Sequence, residues 1–329
     1  MADRPADGPA IRLNRPLGDR ARDILAGRVP PAPARDAATV MLLRPARPAG
    51  QGQPDQGQPD RDQPDRDQPD RDQPEKGQPQ PGKPDGGQPD AERGIEVYML
   101  RRQPSMAFAP GASVFPGGSV DARDADADVA WAGPDAAAWG QVFDAPDDLA
   151  RALVCAAVRE TFEECGILLA GPTAAEVVAD TSGDDWESDR RALLERSISL
   201  AGLLGQRHLV LRADLLTPWS RWITPIVEER RFDARFFAAA LPPGQRTRDV
   251  GGEAAQVAWV RPAAAIAAGR AGEITLWPPT EVTLAQLAEF GTVAAALAAP
   301  RQVRPLLPEV TLRGGTPWLT VPGVRDYPW

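Results

Sequence analysis

The sequence predicts an α/β fold in which helices cover both faces of a mixed sheet. Short apolar runs with strand character alternate along the chain with segments of helical periodicity, which is typical of this class. Some successive strands also lie close enough in sequence to form hairpins, and a purely parallel sheet contains none. These two observations together favour a sandwich with a mixed sheet at its centre.

The N-terminal region is expected to be held loosely before the sheet begins. Residues 1–38 are rich in Pro, Ala, Arg and Asp, and we predict a flexible arm with one short amphipathic helix near residues 17–25. Residues 39–43 (TVMLL) form an apolar run typical of a first strand. The predicted domain therefore spans residues 39–300, and residues 301–329 form a C-terminal tail.

A low-complexity segment interrupts this domain. From Gly52 a five-residue unit beginning GQPDQ repeats, and up to Asp90 the segment contains no Val, Ile, Leu, Met or aromatic residue. Such a sequence buries too little apolar surface to offset the entropy of ordering, so residues 50–93 are predicted to be a disordered loop. A tolerated surface expansion and a partner-binding linker both remain compatible with the repeat.

The charge of the chain excludes one broad class of function. The formal net charge is −9, and more than half of it lies in the repeat, so the folded part is closer to neutral. A general nucleic-acid-binding protein would carry a basic surface instead. No run approaches the length of a membrane span, so we expect neither a nucleic-acid nor a membrane partner.

The remaining elements follow from the same patterns. Apolar runs predict strands at residues 95–100, 167–169, 219–227, 231–240 and 256–260, the first of them pairing with residues 39–43. Periodicity predicts helices at residues 174–179, 186–204, 209–215, 263–269 and 280–297, the first three forming a helical insertion. Residues 124–148 are an acidic segment with aromatic residues that indicate packing, and Gly314 and Gly315 predict a final hairpin.

Residues 154–166 (VCAAVRETFEECG) carry the pattern with the most chemical meaning. On a helix the apolar residues share one face, and Glu160, Glu163 and Glu164 project from the opposite side within about one turn. Like charges placed this way repel, whereas Arg159 stands four residues before Glu163 and can pair with it. Clustered carboxylates are hard oxygen ligands that suit Mg²⁺ or Mn²⁺.

Further signals mark the limits and surroundings of this helix. Asp147 or Asp148 is the predicted N-cap, and Gly166 is the predicted left-handed residue at the other end. Cys155 and Cys165 lie ten residues apart on the helix. That spacing is about 15 Å along the axis, too far for a disulfide, so a reducing, cytoplasmic location is expected.

The loop before the helix completes a known pattern. Gly117 and Gly118 let the backbone pass close to a ligand. Gly118 and residues 159–167 (RETFEECGI) together resemble the signature of the Nudix hydrolases. Two features depart from it: Asp124 replaces the first glutamate, and 34 residues separate Asp124 from Arg159 where the pattern has a short spacing.

The position of this insertion indicates a particular branch of the family. Together with the flanking motifs at residues 219–225 (WSRWITP) and 277–279 (WPP), it is similar to the CoA-diphosphatase-related subfamily typified by the mammalian Nudix motif 19 protein. The resemblance implies a Nudix α/β/α sandwich that hydrolyses a diphosphate linked to an organic group.

The resemblance also implies a metal site. Glu160, Glu163 and Glu164, with the carbonyl of Gly117, are the candidate ligands for Mg²⁺ or Mn²⁺, and the resemblance implies that Glu163 and Glu164 are ligands. Glu160 is then either a ligand or the base that activates water, and Arg159 orients the glutamates.

Other residues are candidates for substrate contacts. Guanidinium groups bind phosphate bidentately, so four arginines are either phosphate-binding residues or surface ion-pair residues, namely Arg101, Arg102, Arg221 and Arg231. Glu253 lies before a strand, where the resemblance implies a further acidic ligand or base at the substrate; the alternative is a solvated loop carboxylate. Aromatic residues in the predicted strands either stack on the substrate or belong to the core, namely Trp219, Trp222, Phe232 and Phe237.

The resemblance implies an enzyme that cleaves CoA or acyl-CoA to 3′,5′-ADP and the 4′-phosphopantetheine product. Alternatives are a hydrolase of another nucleoside diphosphate derivative, such as ADP-ribose or NADH, and a non-catalytic nucleotide-binding module. The intact glutamates at positions 160, 163 and 164 favour catalysis. A small-molecule nucleotide is the expected partner, and a homodimer stays open.

Overall fold

A computed structural model of the protein describes residues 10–47, 94–105, 109–248 and 254–321. Two predictions fall outside these ranges, namely the disordered repeat at residues 50–93 and the role of Glu253. The described residues form strands and α-helices in an alternating order.

The strands are β1 (Ala10–Arg12), β2 (Ala34–Pro45), β3 (Ile95–Arg102), β4 (Ala112–Val114), β5 (Gly117–Ser119), β6 (Trp131–Ala132), β7 (Ala170–Gly171), β8 (Val210–Arg212), β9 (Thr217–Ile223), β10 (Arg231–Ala240), β11 (Ala254–Val260), β12 (Thr275–Leu276), β13 (Pro305–Leu306), β14 (Glu309–Arg313) and β15 (Thr316–Thr320). The α-helices are α1 (Arg15–Leu25), α2 (Ala136–Phe143), α3 (Asp147–Cys165), α4 (Asp184–Leu194), α5 (Leu200–Gln206), α6 (Pro262–Arg270), α7 (Pro278–Ala288) and α8 (Val293–Ala298).

The central sheet is mixed, as predicted. Its strands follow the order β12-β4-β3-β2-β10-β9-β13, with β11 paired to β3 and β5 paired to β2. Strand β10 runs parallel to β2 and antiparallel to β9. The predicted pairing across the repeat is confirmed, since Leu43 faces Val97 in antiparallel register. Strand β2 is longer than predicted because its first ten residues pair with β10.

Helices cover both faces of this sheet, which confirms the α/β/α sandwich. Successive side chains of β2 alternate between two buried apolar clusters. Val40 and Leu42 belong to the cluster under α3, whereas Met41 and Leu43 belong to the cluster under α6, α7 and α8. The two helical layers are therefore held by opposite faces of the same strands.

The acidic segment at residues 124–148 packs on the sheet, as its aromatic residues indicate. Trp139 and Phe143 on α2 are only 3% and 1% exposed. Both rings meet Phe237 of β10 edge to face, at centroid distances of 5.6 and 5.1 Å. The insertion is therefore part of the core beside α3.

The helical insertion differs from the prediction in most of its elements. No helix forms at residues 174–179, and residues 209–215 form β8 and a short 3₁₀ helix. The predicted helix at residues 186–204 divides into α4 and α5, because Arg196 takes a left-handed φ of 58° and the Ser199 side chain caps the next helix.

The predicted strand at residues 167–169 is also wrong, and the nearby strand is β7. The side-chain amide of Gln245 accepts from the Leu168 N–H and donates to the Leu168 carbonyl, each at 2.9 Å. A buried side chain thus satisfies the backbone groups that a neighbouring strand would otherwise bind.

The two ends of the chain meet in a sheet of their own. The predicted N-terminal helix and final hairpin are confirmed as α1 and as β14 with β15. Strand β1 pairs antiparallel with β15, so that Ile11 faces Leu319. We call β1, β15 and β14 the terminal sheet. The division into arm, domain and tail stays a prediction, although described parts of arm and tail pair with each other.

The closing helix predicted at residues 280–297 divides into α7 and α8. The side chain of Thr292 accepts from the Ala295 N–H and starts α8 as a separate helix. No helix among the described residues is long and apolar enough to cross a membrane. Cys155 and Cys165 are buried and form no disulfide.

Candidate active site

Helix α3 is buried around most of its circumference. Fourteen of its 19 residues are buried. The predicted N-cap is wrong, because Pro146 occupies that position. Asp147 and Asp148 lie in the first turn, where their negative charge interacts favourably with the helix dipole. Gly166 ends the helix with a φ of 72°, as predicted.

The carboxylates of α3 point into the protein and not into bulk solvent. Glu160 and Glu163 are only 9% and 7% exposed. Buried carboxylates need hydrogen-bond partners or counter-charges to remain ionised. The structure provides both, largely through one neighbouring side chain.

Arg159 is the hub of this cluster. Its Nε and Nη2 donate to the two carboxylate oxygens of Asp124, at 3.0 and 2.9 Å. Nη1 donates to Glu160 at 2.7 Å and to Glu163 at 3.1 Å, and Nη2 also donates to the Ser119 carbonyl at 3.0 Å. A guanidinium group has five N–H donors, so each of them is engaged.

Asp124 reaches this hub although 34 residues separate it from Arg159. The side chain is 2% exposed and also accepts from the Asp121 N–H, completing a capping box on a short 3₁₀ helix. The insertion that follows Asp124 packs helix α2 beside α3. The chain therefore returns from Asp124 to Arg159, which the Asp124 side chain contacts. The long spacing in the sequence therefore preserves the local geometry.

The glycines of β5 bring the backbone against the carboxylates. The Gly117 N–H donates to Glu164 at 2.7 Å. A side-chain carbon on Gly118 would overlap the carboxylate of Glu160. The missing side chain at position 118 is therefore what allows Glu160 to lie against the strand.

Burial and like charge set the protonation of the cluster. Desolvation raises the pKa of Glu160 from 4.5 to about 7, with Arg159 opposing the shift and Glu163 adding to it. Desolvation likewise raises the pKa of Glu163, again against the charge of Arg159. The raised values show that one guanidinium does not neutralise the buried carboxylates around it.

This donor set fits a hard divalent cation in its chemistry. Glu160, Glu163 and Glu164 offer carboxylate oxygens, and a cation would compensate the desolvation that raises the pKa values of Glu160 and Glu163. In the ranges that the structure describes, no three His, Cys, Asp or Glu side chains already converge as a metal cluster. The ligand assignment, which includes the Gly117 carbonyl, stays a prediction.

The cluster lies on the wall of a large cavity. This cavity has a volume of about 1560 Å³ and lies between β5, the face of the sheet that carries Phe236, helix α1 and the start of α7. Arg159, Glu160, Glu163 and Glu164 all line it. A diphosphate compound of substantial size can enter it, since ligand pockets usually measure about 300–1,000 Å³.

The predicted substrate arginines divide into two groups. Arg102 lines the main cavity, whereas Arg101, on the opposite face of β3, lines a separate cavity of about 580 Å³. Arg221 is held by both carboxylate oxygens of Asp233, at 2.9 and 2.7 Å. Arg231 donates to main-chain carbonyls of Thr224 and Ala32, so neither it nor Arg221 lines the main cavity.

Several cationic residues of the main cavity were not found from the sequence, namely Arg12, Arg123, Arg190, Arg196, Arg230 and Arg270. Arg190 has a defined structural contact, because its Nη1 donates to the carbonyl of Glu163 at 2.9 Å. That bond joins helix α4 to the carboxylate helix. The sequence carried no signal for it, since it depends on how the two helices pack.

The predicted aromatic residues also divide. Trp222 and Phe232 line the main cavity. Phe237 lies in the core under α3, and Trp219 donates through Nε1 to Gln286 at 2.8 Å. Period-two alternation along β10 places Phe232 and Phe237 on opposite faces, whereas Trp219 and Trp222 of β9 belong to one buried cluster.

Comparison with known proteins finds similarity to the Nudix family that the sequence resembles. The family described as the NUDT19 Nudix domain matches residues 133–287. The acyl-coenzyme A diphosphatase NUDT19 of Xenopus laevis is 25% identical over 237 residues, which cover 60% of this chain and 61% of that protein. The human protein of the same name is 29% identical over 243 residues, which cover 61% and 62%.

A solved structure extends the likeness to most of the fold. A NUDIX hydrolase from Alicyclobacillus acidocaldarius superposes with a TM-score of 0.60 at 23% sequence identity, covering 82% of this chain and 98% of that one. The likeness confirms the fold. Helix α3 and strands β9 to β12 lie in the part that the family model matches, and the predicted resemblance is confirmed by that match.

Fold, carboxylate helix and matches together make the chain similar to the Nudix hydrolases, a class that acts on diphosphate bonds and generally uses divalent metal ions. Within that class it resembles the acyl-coenzyme A diphosphatases NUDT19 of vertebrates. The chain spans about three fifths of the length of these curated relatives.

Proposed function

We propose that the protein cleaves the diphosphate of CoA or acyl-CoA to 3′,5′-ADP and (acyl-)4′-phosphopantetheine. The names of its relatives support this substrate class. The observation that carries the proposal is the set of carboxylates that Arg159 gathers on the wall of one large cavity. A diphosphate needs charge neutralisation and a positioned water before it breaks, and this wall can organise both.

Mg²⁺ or Mn²⁺ is the proposed cofactor, held by Glu160, Glu163, Glu164 and the Gly117 carbonyl. When bound, such an ion neutralises charge on the bridging phosphates and lowers the pKa of a bound water. Arg159 keeps the carboxylates in place. Because each of its N–H donors already has a protein acceptor, it acts as a positioning residue and leaves the phosphates to other groups.

Glu160 is the proposed candidate for the base if it is not a ligand. A carboxylate with a pKa near neutrality accepts a proton from water more readily than an exposed one, and burial raises the pKa of Glu160 to about 7. Glu253, outside the described residues, remains the alternative base.

Arginines on the cavity wall are proposed to bind the other phosphates of the substrate. CoA carries a 3′-phosphate besides its diphosphate, so it needs more than one cationic contact. Arg102 and Arg230 line the cavity and are proposed for this role in place of Arg101 and Arg231. Guanidinium groups suit it because they bind phosphate oxygens in pairs.

A substrate panel tests the proposal. CoA, acetyl-CoA, a long-chain acyl-CoA, ADP-ribose and NADH would each be incubated with the protein and Mg²⁺ or Mn²⁺, and products separated by chromatography. Glu163→Gln removes one charge while keeping an acceptor for Arg159, and Glu195→Gln is the matched control on an exposed glutamate. We expect metal-dependent release of 3′,5′-ADP by wild type and Glu195→Gln, with a loss of at least about 100-fold in Glu163→Gln.

Other outcomes distinguish the alternatives. Turnover confined to ADP-ribose or NADH would keep the site and overturn the CoA assignment. Tight binding of one compound with no turnover of any would favour the non-catalytic module. Equal activity in wild type and Glu163→Gln would remove the glutamates from the mechanism.

A further inference from the structure

One row of residues crosses the sheet from the carboxylate cluster to the far wall of the cavity. In register, Ser119 of β5 faces Ala37 of β2, Ala37 faces Ala234 of β10, and Ala234 faces Trp222 of β9. All four line the main cavity. Residues in one row of a sheet point to the same face, so this row is a continuous floor.

The side chains that form the floor are small in the middle and large at one end. Ala37 and Ala234 carry only a methyl group, whereas Trp222 beyond them carries a large ring. Phe232 and Phe236, two residues before and two residues after Ala234 on the same face of β10, form the sides. The shape is a narrow apolar groove that begins beside Ser119 and ends at an indole.

Described segments near both ends of the chain supply the roof. Leu13 and Leu17, at the start of α1, and Leu319 and Val321, at the end of β15, line the same cavity. Val321 is 1% exposed and belongs to the buried cluster that also contains Trp222 and Phe236. These roof residues lie outside the segment 133–287 that the family match covers, so that match assigns them no role.

The length of the groove can be compared with a ligand. Neighbouring strands lie about 4.8 Å apart, so three strand steps from β5 to β9 span about 14 Å. The pantetheine arm has about 12 chain atoms from its phosphate oxygen to its sulfur, equivalent to four extended residues, or about 14 Å. An arm that starts at the carboxylate cluster therefore brings its sulfur to Trp222.

Resting on the proposed function, we infer that the groove binds the pantetheine arm of the substrate and that the roof binds the acyl chain. The alanine floor leaves room for a thin, flexible chain. Leu17, Leu319, Val321 and Trp222 then enclose the apolar tail beyond the thioester. The terminal sheet thereby determines selectivity for acylated over free CoA.

Binding measurements without metal test the roof. Calorimetry in EDTA would compare CoA, acetyl-CoA, octanoyl-CoA and palmitoyl-CoA on wild type, Leu17→Asp and Leu25→Asp. Leu25 is the matched control because it lies on the same helix, is 46% exposed and does not line the cavity. We expect wild-type affinity to rise about two- to fourfold per methylene until the tail site is full.

Leu17→Asp should reduce the ratio of palmitoyl-CoA to CoA affinity at least tenfold, because it places a carboxylate beside the tail. Leu25→Asp should keep the wild-type ratio. Affinity independent of chain length, or equal ratios in both variants, would overturn the inference. A chain-length dependence lost in Leu17→Asp would uphold it even if the substrate panel shows no hydrolysis, so the two proposals fail separately.

A second pair of variants tests the floor. Ala234→Leu fills the groove where the arm would pass, whereas Ala240→Leu adds the same atoms at the exposed end of the same strand. We expect the first to weaken CoA and palmitoyl-CoA alike by about tenfold or more and the second to change neither. Unchanged binding in Ala234→Leu, with the fold verified by circular dichroism, would overturn the assignment of the floor.

Discussion

The two ends of the main cavity are built from different parts of the chain and by different forces. The charged end comes from β5, Asp124 and α3, where directional hydrogen bonds fix each carboxylate. The apolar end is closed by the terminal sheet, in which Ile11 faces Leu319. Residues 117–164 therefore provide the chemistry, and segments from opposite ends of the described chain provide the enclosure.

This difference has a consequence for substitutions. A hydrogen-bonded cluster of buried charges loses its function when one partner is removed, because the remaining charges have no compensation. An apolar enclosure tolerates changes that conserve volume and responds gradually to others. We expect changes at the charged end to abolish activity and changes at the apolar end to shift selectivity.

Removing the hub should have the largest effect. Arg159→Ala leaves Asp124, Glu160 and Glu163 buried without their counter-charge, and should lower the free energy of unfolding by about 3–5 kcal/mol as well as abolish hydrolysis. Urea unfolding of the metal-free protein measures it. Arg191→Ala, which breaks an ion pair of an arginine with 68% exposure, should cost no more than about 0.5 kcal/mol.

Adding Asp124→Asn to Arg159→Ala should restore part of the stability, because it removes one of the orphaned charges. If Arg159→Ala lowered the free energy of unfolding no more than Arg191→Ala does, the charged end would not depend on Arg159 as its hub.

The pH dependence of stability should follow Glu160. Its pKa lies at about 7 in the folded, metal-free protein, against an ordinary value of 4.5. Between these values the folded state binds more protons than the unfolded state, so the free energy of unfolding falls as pH rises through this window. Glu160→Gln removes the contribution of Glu160 to this dependence. Between pH 4 and pH 8, the free energy of unfolding of the variant should therefore rise by about 2–4 kcal/mol relative to that of wild type.

Urea unfolding in EDTA from pH 4 to 8 measures this difference, with Glu195→Gln as the exposed control. Parallel curves of the free energy of unfolding against pH for wild type and Glu160→Gln would show that burial does not raise the pKa of Glu160.

The contact between Gly118 of β5 and the Glu160 carboxylate can be tested by adding a single methyl group. Gly118→Ala places a carbon where the Glu160 carboxylate lies, and should lower kcat/KM about 100-fold by displacing it. Gly205→Ala is the control, because no atom lies within 4 Å of its added carbon. It should leave kcat/KM unchanged and stabilise α5 by about 0.5–1 kcal/mol. Similar kinetics in both variants would show that Glu160 tolerates displacement.

The smallest expected effect concerns two neighbouring arginines. Arg102→Ala should raise KM for CoA about tenfold, because it removes a cationic group from the main cavity. Arg101→Ala should leave KM within about twofold, since its side chain lies at the other cavity. Steady-state kinetics of both variants decides the matter, and a larger effect at Arg101 would place the phosphates on the opposite face of β3.

Much of the charged end could be predicted from the sequence because its contacts are local. The spacing from Arg159 to Glu163 and the glycine at position 166 fix helix α3 and its end through contacts within one or two turns. The sequence did not indicate that the carboxylates are buried, since burial depends on what packs around the helix. It also misplaced the N-cap, because two acidic residues follow Pro146 and either could have served.

The sequence by itself thus determined the α/β class, the mixed sheet and the residues of the carboxylate helix. Those features follow from periodicity and from interactions between residues a few positions apart. Only the tertiary structure decided which arginines reach the cavity and where the chain ends lie. Strand neighbours such as Arg101 and Arg102 are equivalent in composition, and only packing distinguishes their faces. The pairing of Ile11 with Leu319 is likewise a long-range contact, which no local pattern specifies.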